Sequence, residues 1–140
     1  MDFTALIKGA TLYLPVLQSG ALFYTGDAHA LQGDGEINGT AIEASLTGMF
    51  QFIVHKDAGR AMRSPRAEDN DNWYLMGMDA DLNAALKQAA QETVDFLVRE
   101  KGMTQADAYA FASVAVNFTV GEAVDQVQMV YAQIPKGVFR

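Results

Sequence analysis

The sequence contains no cysteine among its 140 residues. This absence excludes disulfide bonds, thiolate zinc sites and enzymes that use a cysteine nucleophile. Positive charge is also scarce, since ten lysines and arginines stand against 17 acidic residues and give a net charge of −7. Because the basic residues are scattered, apart from one loop cluster at Arg60, Arg63 and Arg66, we expect no nucleic-acid partner.

Long apolar segments are missing too. The sequence has no run of about 18 apolar residues, and it does not begin with the charged start and apolar core of a signal peptide. We therefore expect a soluble cytoplasmic protein with no membrane partner. Half of the residues are hydrophobic and 19% are charged, which is typical of a globular protein. The length predicts a single domain over residues 1–140.

The hydrophobic pattern predicts strands first, then two consecutive helices, then strands again. This order indicates an α+β fold, with the helices packed on the sheet and a final strand near the C-terminus. Met49–Val54 is too apolar for a strand with one exposed face, so we expect it to be buried on both faces. Residues 57–72 combine glycine, proline and charges and predict a mobile or partner-contacting loop. The predicted strands are Thr11–Val16, Ala21–Thr25, Ile37–Glu43, Ser45–Lys56, Trp73–Met78, Phe118–Val120 and Val127–Ile134.

The two predicted helices have recognisable end signals. Asp79 or Asp81 is placed to cap the first helix, and Gly102 is placed to end it. Thr104-Gln-Ala-Asp107 resembles a capping box and predicts a second helix that runs to about Val114. The inward face expected for this second helix comprises Ala106, Tyr109, Ala110 and Val114.

One stretch of the first half of the chain concentrates acidic side chains, glycines and a histidine. It reads Gly26-Asp-Ala-His-Ala-Leu-Gln-Gly-Asp-Gly-Glu36 and is followed by Glu43. Carboxylates and a neutral imidazole are ligands of divalent metals and also serve acid–base chemistry. Asp27 and His29 are two residues apart, as are Asp34 and Glu36, so each pair points to one face wherever the backbone is extended. The alternative is a solvated acidic loop that caps its own backbone.

Several common sites do not fit this stretch. The turn at Asp34 lacks the twelve-residue ligand loop of an EF-hand, and Gly33 and Gly35 lack the third glycine and following helix of a dinucleotide motif. The serines have no Gly-x-Ser-x-Gly setting, and His55 is interpreted as structural. Hydrolysis assisted by a metal or a carboxylate remains, because a metal activates water and polarises a carbonyl while a carboxylate accepts the proton.

Short segments spread over nearly the whole chain match one protein family in order. The most distinctive is Gly-Asp-x-His-Ala-x-Gln-Gly-Asp-Gly-Glu at residues 26–36. The other matching segments are Thr11–Val16, Gly39–Glu43, Pro65–Glu68, Met76–Leu82, Ala108-Tyr109, Ser113–Val116 and Ile134–Lys136. On these residues the chain resembles the acetamidase/formamidase family.

The resemblance implies hydrolysis of short aliphatic amides, such as formamide and acetamide, to ammonia and the carboxylate. It also implies a divalent metal ion, zinc or calcium. Carried over by position, Asp27, His29 and Asp34 are the expected metal ligands, and Glu43 or Glu36 is the expected catalytic base. The expected partner is a small amide substrate.

The resemblance also has departures. Family members are longer, and this chain matches their C-terminal half, so a homo-oligomer or a missing N-terminal half is expected to complete it. Asn117 stands where an aspartate is expected, which weakens charge-based interactions there, and Val120-Gly121-Glu122 replaces Val-Thr-Gln. The alternative function is a non-catalytic domain, derived from such an enzyme, that oligomerises or binds a ligand or metal.

Overall fold

The structure is a computed structural model that describes residues 2–56 and 62–139, so Arg60 and the part of the predicted loop at 57–61 lie outside the described residues. The elements of the described chain are, in order, β1 (Thr11–Tyr13), β2 (His29–Leu31), β3 (Ile42–Glu43), β4 (Arg66–Glu68), β5 (Asn72–Asp79), α1 (Leu82–Lys101), α2 (Gln105–Ala115), β6 (Asn117–Glu122), β7 (Gln128–Pro135) and a short 3₁₀ helix (Lys136–Phe139). Five strands form an antiparallel sheet in the order β1-β4-β5-β7-β6, and β2 pairs with β3 in a second sheet. The predicted α+β class is confirmed, with two consecutive helices and the last strand near the C-terminus.

The two faces of the large sheet pack against different parts of the chain. Leu75 and Ile134 belong to a buried cluster with Leu97 of α1, whereas Met76 and Tyr131 belong to a cluster with Phe3. Successive side chains of a strand point to opposite faces. The helices therefore cover one face of the sheet, and the N-terminal segment covers part of the other.

The helices begin and end at the predicted residues. Asp81, rather than Asp79, caps α1, because its carboxylate accepts a hydrogen bond from the backbone N–H of Ala84 at 2.9 Å. Gly102 ends α1 in the left-handed conformation, with φ 67°, and Thr104 caps α2. Within the described residues, neither helix has the length and apolar character that crossing a membrane requires.

The inward face predicted for α2 is wrong. Ala108 and Ala112 are the buried residues of this helix, while Tyr109 is 72% and Val114 is 84% exposed. Alanine occurs on several sides of α2, so its apolar pattern did not select one face. The predicted inward residues, all of them exposed, are Ala106, Tyr109, Ala110 and Val114.

Two further predictions in the loops are wrong. Ala21–Thr25 does not form a strand, because Ala21 and Leu22 adopt positive φ angles of 60° and 56° that a strand cannot contain. Conversely, Arg66–Glu68 lies in the predicted loop but forms β4, since it pairs with both β1 and β5.

Met49–Val54 is not a buried strand either, so that prediction is also wrong. Met49 is 100% exposed and Val54 is 77% exposed. Phe52 packs edge-on against Phe23, with ring centroids 5.0 Å apart, yet remains 68% exposed. An apolar run is buried only where a second surface covers it, and the described chain supplies little such cover here.

Candidate functional site

The short β2–β3 ladder brings His29 and Glu43 together. These residues are direct partners in the antiparallel register, so their side chains project to the same side. The Nε2 atom of His29 lies 3.1 Å from Oε2 of Glu43. The motif therefore supplies one strand of the pair itself, and the predicted strand at Ala21–Thr25 takes no part in it.

Asp27 joins this pair from the turn before β2. Its Oδ1 atom lies 3.3 Å from Nε2 of His29. The backbone of Asp27 has a φ of 56°, so the two side chains meet through a turn and not through the extended backbone assumed from the spacing. One ligand atom from each of Asp27, His29 and Glu43 lies within 4.8 Å of the others.

The group is shallow, with the imidazole at its base. The His29 side chain is 9% exposed, whereas those of Asp27 and Glu43 are 68% and 58% exposed. An open cleft of about 420 Å³ lies beside it and is lined by Asp27, Ala28, Glu43, Ala44 and Ser45. A small polar molecule could therefore reach the carboxylates directly from solvent.

Gln32 fixes the orientation of the His29 ring. The Nδ1 atom of His29 lies 3.0 Å from Oε1 of Gln32, and the Nε2 atom of the same amide donates to the backbone carbonyl of Asp2 at 3.2 Å. An amide oxygen can only accept, so Nδ1 carries the proton in this contact. In the neutral ring, the lone pair of Nε2 then faces the two carboxylates.

The same contacts stabilise the protonated ring. The hydrogen bond to Gln32 raises the pKa of His29; burial opposes the shift, and the negative charges of Glu43 and Asp27 reinforce it. Nε2 can therefore carry a proton shared with the carboxylates or, once deprotonated, bind a cation between them. Protons and a cation compete for the same atom.

The structure places Asp34 elsewhere. Its carboxylate accepts hydrogen bonds from the hydroxyls of Thr4 at 2.8 Å and Tyr131 at 3.1 Å. Because Tyr131 lies on β7, these bonds attach the motif to the large sheet. Asp34 is not a member of the Asp27–His29–Glu43 group.

Glu36 lies at a different place again, beside the end of β6. The backbone N–H of Gly35 donates to the carbonyl of Gly121 at 3.1 Å, and the N–H of Ala123 donates to the carbonyl of Gly35 at 3.1 Å. This pairing brings Glu36 within 4.8 Å of carboxylate oxygens of Asp2 and Glu122. The two catalytic candidates, Glu36 and Glu43, are thus in separate groups.

Glu122 was not among the sequence-predicted site residues. It is 1% exposed, and burial raises the pKa of its carboxyl, as do the charges of Asp125, Glu36 and Asp2. The available signal in the sequence was an acidic residue directly after Gly121, because a glycine inside a strand often marks a bulge. The structure has its register shift between Val120 and Glu122. Acidic residues are rarely buried without a partner.

A model of the Acetamidase/Formamidase family matches residues 1–140. The chain belongs to this family. An acetamidase from Yersinia enterocolitica has a similar solved structure, with 31% identity and a TM-score of 0.85. That match covers 100% of this chain and 42% of the Yersinia chain.

Two further solved structures share the fold. An acetamidase from Bacillus halodurans is 24% identical with a TM-score of 0.82. A predicted acetamidase/formamidase from Thermoanaerobacter tengcongensis is 21% identical with a TM-score of 0.82. Each match covers 99% of this chain and 46% of the other, so this family member spans less than half the length of these relatives. No protein of curated function matches the chain.

Proposed function

We propose that this chain carries the amide-hydrolysing centre of an acetamidase/formamidase and acts on short aliphatic amides such as formamide and acetamide. The observation that supports this proposal is the convergence of Asp27, His29 and Glu43 beside an open cleft. The products are ammonia and the carboxylate, and the only other reactant is water. The small cleft and its polar lining favour a small polar substrate.

The donor atoms of this group fit a divalent metal ion. Two ligands of a tetrahedral zinc ion lie roughly 3.3 Å apart, as follows from bond lengths of about 2.0–2.1 Å. The 3.3 Å between Oδ1 of Asp27 and Nε2 of His29 matches this spacing. Gln32 supplies the hydrogen bond to Nδ1 that metal-binding histidines usually make. Asp27 and His29 would therefore hold the ion, and zinc suits this mixed nitrogen and oxygen set.

The remaining carboxylate is placed for proton transfer. A bound divalent ion would polarise the amide carbonyl and lower the pKa of a water molecule. Glu43, whose Oε2 lies 3.1 Å from Nε2 of His29, accepts the proton from the attacking water and passes it to the departing nitrogen. Glu43 is preferred to Glu36 as the base because Glu36 lies in the other carboxylate group.

Ammonia release tests this proposal. Formamide and acetamide are offered to the full chain with added zinc or with chelator, and Glu43→Gln is expected to lower the rate by at least about 100-fold. Glu100→Gln, at an exposed position on α1, is the matched control and is expected to retain the rate. Circular dichroism checks that each variant is folded. Equal rates for Glu43→Gln and the unchanged chain would show that Glu43 is not the base. Absence of turnover by the folded chain would show that this chain alone does not hydrolyse these amides.

A second candidate function rests on exposed apolar side chains between residues 14 and 54. We propose that they form an assembly surface covered by a second copy of the chain, so that the chain can also act as a non-catalytic, oligomerising domain. Leu17 is 84%, Tyr24 is 91% and Met49 is 100% exposed. Large exposed apolar surface marks sites of protein–protein interaction. The alternative occupant is a separate chain that corresponds to the rest of the longer relatives.

A further inference from the structure

The second carboxylate group lies where the turn of the motif meets the edge of the large sheet. Asp2, Glu36 and Glu122 each bring a carboxylate oxygen within 4.8 Å of the other two. They come from the N-terminal segment, the motif turn and the end of β6, so only the folded chain assembles them. None of them belongs to the group proposed above for amide hydrolysis.

Glu122 is the unusual member of this group. Its side chain is 1% exposed. One carboxylate oxygen accepts a hydrogen bond from the backbone N–H of Val124 at 3.4 Å, but the other, Oε2, is buried without a hydrogen-bond partner among the described residues. A buried carboxylate in this state is unfavourable unless a proton or a cation compensates it.

The backbone around Glu122 holds the group in place. The two hydrogen bonds between Gly35 and the end of β6, from Gly35 N–H to Gly121 and from Ala123 N–H to Gly35, are both 3.1 Å long. They fix the turn that carries Glu36 beside the strand end that carries Glu122. Backbone pairing therefore holds the positions that carry Glu36 and Glu122 next to each other.

We propose that Asp2, Glu36 and Glu122 form a structural calcium site. All the donors are carboxylate oxygens, which favours a hard cation over zinc or copper. Calcium–oxygen bonds of about 2.3–2.6 Å allow two ligands of one ion to lie up to about 5 Å apart, and the separations of at most 4.8 Å in this group satisfy that limit. The ion would join three segments of the folded chain and compensate the buried carboxylate of Glu122.

Calcium titration of the full chain tests this site. Isothermal titration with calcium chloride and thermal unfolding in calcium or in chelator are measured for the unchanged chain, Glu122→Gln and Glu100→Gln. Glu100→Gln is the matched control, because it makes the same carboxylate-to-amide change at an exposed position of α1 outside the group. We expect calcium to raise the melting temperature of the unchanged chain, Glu122→Gln to weaken binding at least about tenfold, and Glu100→Gln to bind within about threefold of the unchanged chain.

A separate variant distinguishes the two sites. His29→Ala removes a ligand of the hydrolytic group and is expected to leave calcium binding unchanged. Calcium binding that is equal in the unchanged chain and Glu122→Gln would overturn the proposal. So would an unchanged chain that shows neither binding heat nor a shift of its melting temperature with calcium, because no cation would then compensate the carboxylates. Failure of amide hydrolysis alone would leave the calcium result intact.

Discussion

The Nδ1 atom of His29 lies 3.0 Å from Oε1 of Gln32, and this contact connects the two carboxylate groups of the chain. Gln32 also donates to the backbone carbonyl of Asp2, whose side chain belongs to the second group. The amide therefore orients the imidazole of one group and holds the N-terminal segment that carries a residue of the other. A substitution of Gln32 is therefore expected to affect both carboxylate groups.

Gln32→Ala is the first prediction. Loss of the hydrogen bond frees the imidazole to rotate and removes the preference for a proton on Nδ1, so zinc affinity at the hydrolytic group is expected to fall about 10- to 100-fold. Competition with a zinc-sensitive dye measures this affinity. Gln18→Ala, at an exposed position, is the control and is expected to keep the affinity of the unchanged chain. Equal affinities in both variants would show that Gln32 does not position His29.

Glu68 gives a prediction for the pH dependence of stability. Burial by itself raises the pKa of this carboxyl, but hydrogen bonds from Lys136 and Tyr13 and the charges of Lys136 and Arg66 outweigh it and hold the pKa below its ordinary value. A carboxyl whose pKa is lowered by folding stabilises the fold above its ordinary pKa, and this contribution disappears as the pH falls through the lowered value. Glu68→Gln is therefore expected to cost about 1–3 kcal/mol at pH 7 and much less in strong acid.

Urea unfolding at pH 7 and at about pH 3 measures this difference. Glu100→Gln is the control, because Glu100 is 43% exposed and a surface substitution of this kind is expected to change stability by less than about 0.5 kcal/mol. A destabilisation by Glu68→Gln that stays the same at both pH values would exclude the carboxylate charge as its cause.

The helices could be predicted from the sequence because their signals are local. Asp81 and Gly102 act on backbone groups within one turn of themselves. Asp27, His29 and Glu43 could be named as candidates from the motif and the resemblance, but their contact depends on the β2–β3 register and on a positive φ at Asp27. Residue spacing does not specify either of these.

Glu122 shows what the sequence could not reveal. Its burial depends on a parallel bridge between Gly35 and Glu122, two positions that are far apart in the chain. Met49–Val54 shows the opposite error, since its apolar composition predicted burial although the described chain leaves it exposed. Apolar composition indicates that a segment can be buried, and only the fold or a partner decides what covers it.

The exposed apolar surface gives a prediction about assembly. Sedimentation at micromolar concentration is expected to show a species heavier than the 15.2 kDa of one chain. Replacing both Met49 and Val54 with serine removes apolar area from this surface and is expected to shift the chain towards the monomer. Val114→Ser is the control, because Val114 is 84% exposed on α2 and outside the surface. A strictly monomeric unchanged chain would contradict assembly through a second copy.

Gly77 sets the distance between α1 and the sheet, and it gives the last prediction. A Cβ atom at this position on β5 would lie 2.0 Å from the backbone oxygen of Ala85 and 2.4 Å from the backbone nitrogen of Ala89. Backbone atoms of a helix cannot move aside individually, so Gly77→Ala forces α1 away from its strand and is expected to cost about 3 kcal/mol or more. Gly137→Ala, where an added Cβ meets no atom within 4 Å, is expected to stay within about 0.5 kcal/mol. Equal urea midpoints for the two variants would mean that α1 does not pack against β5 at Gly77.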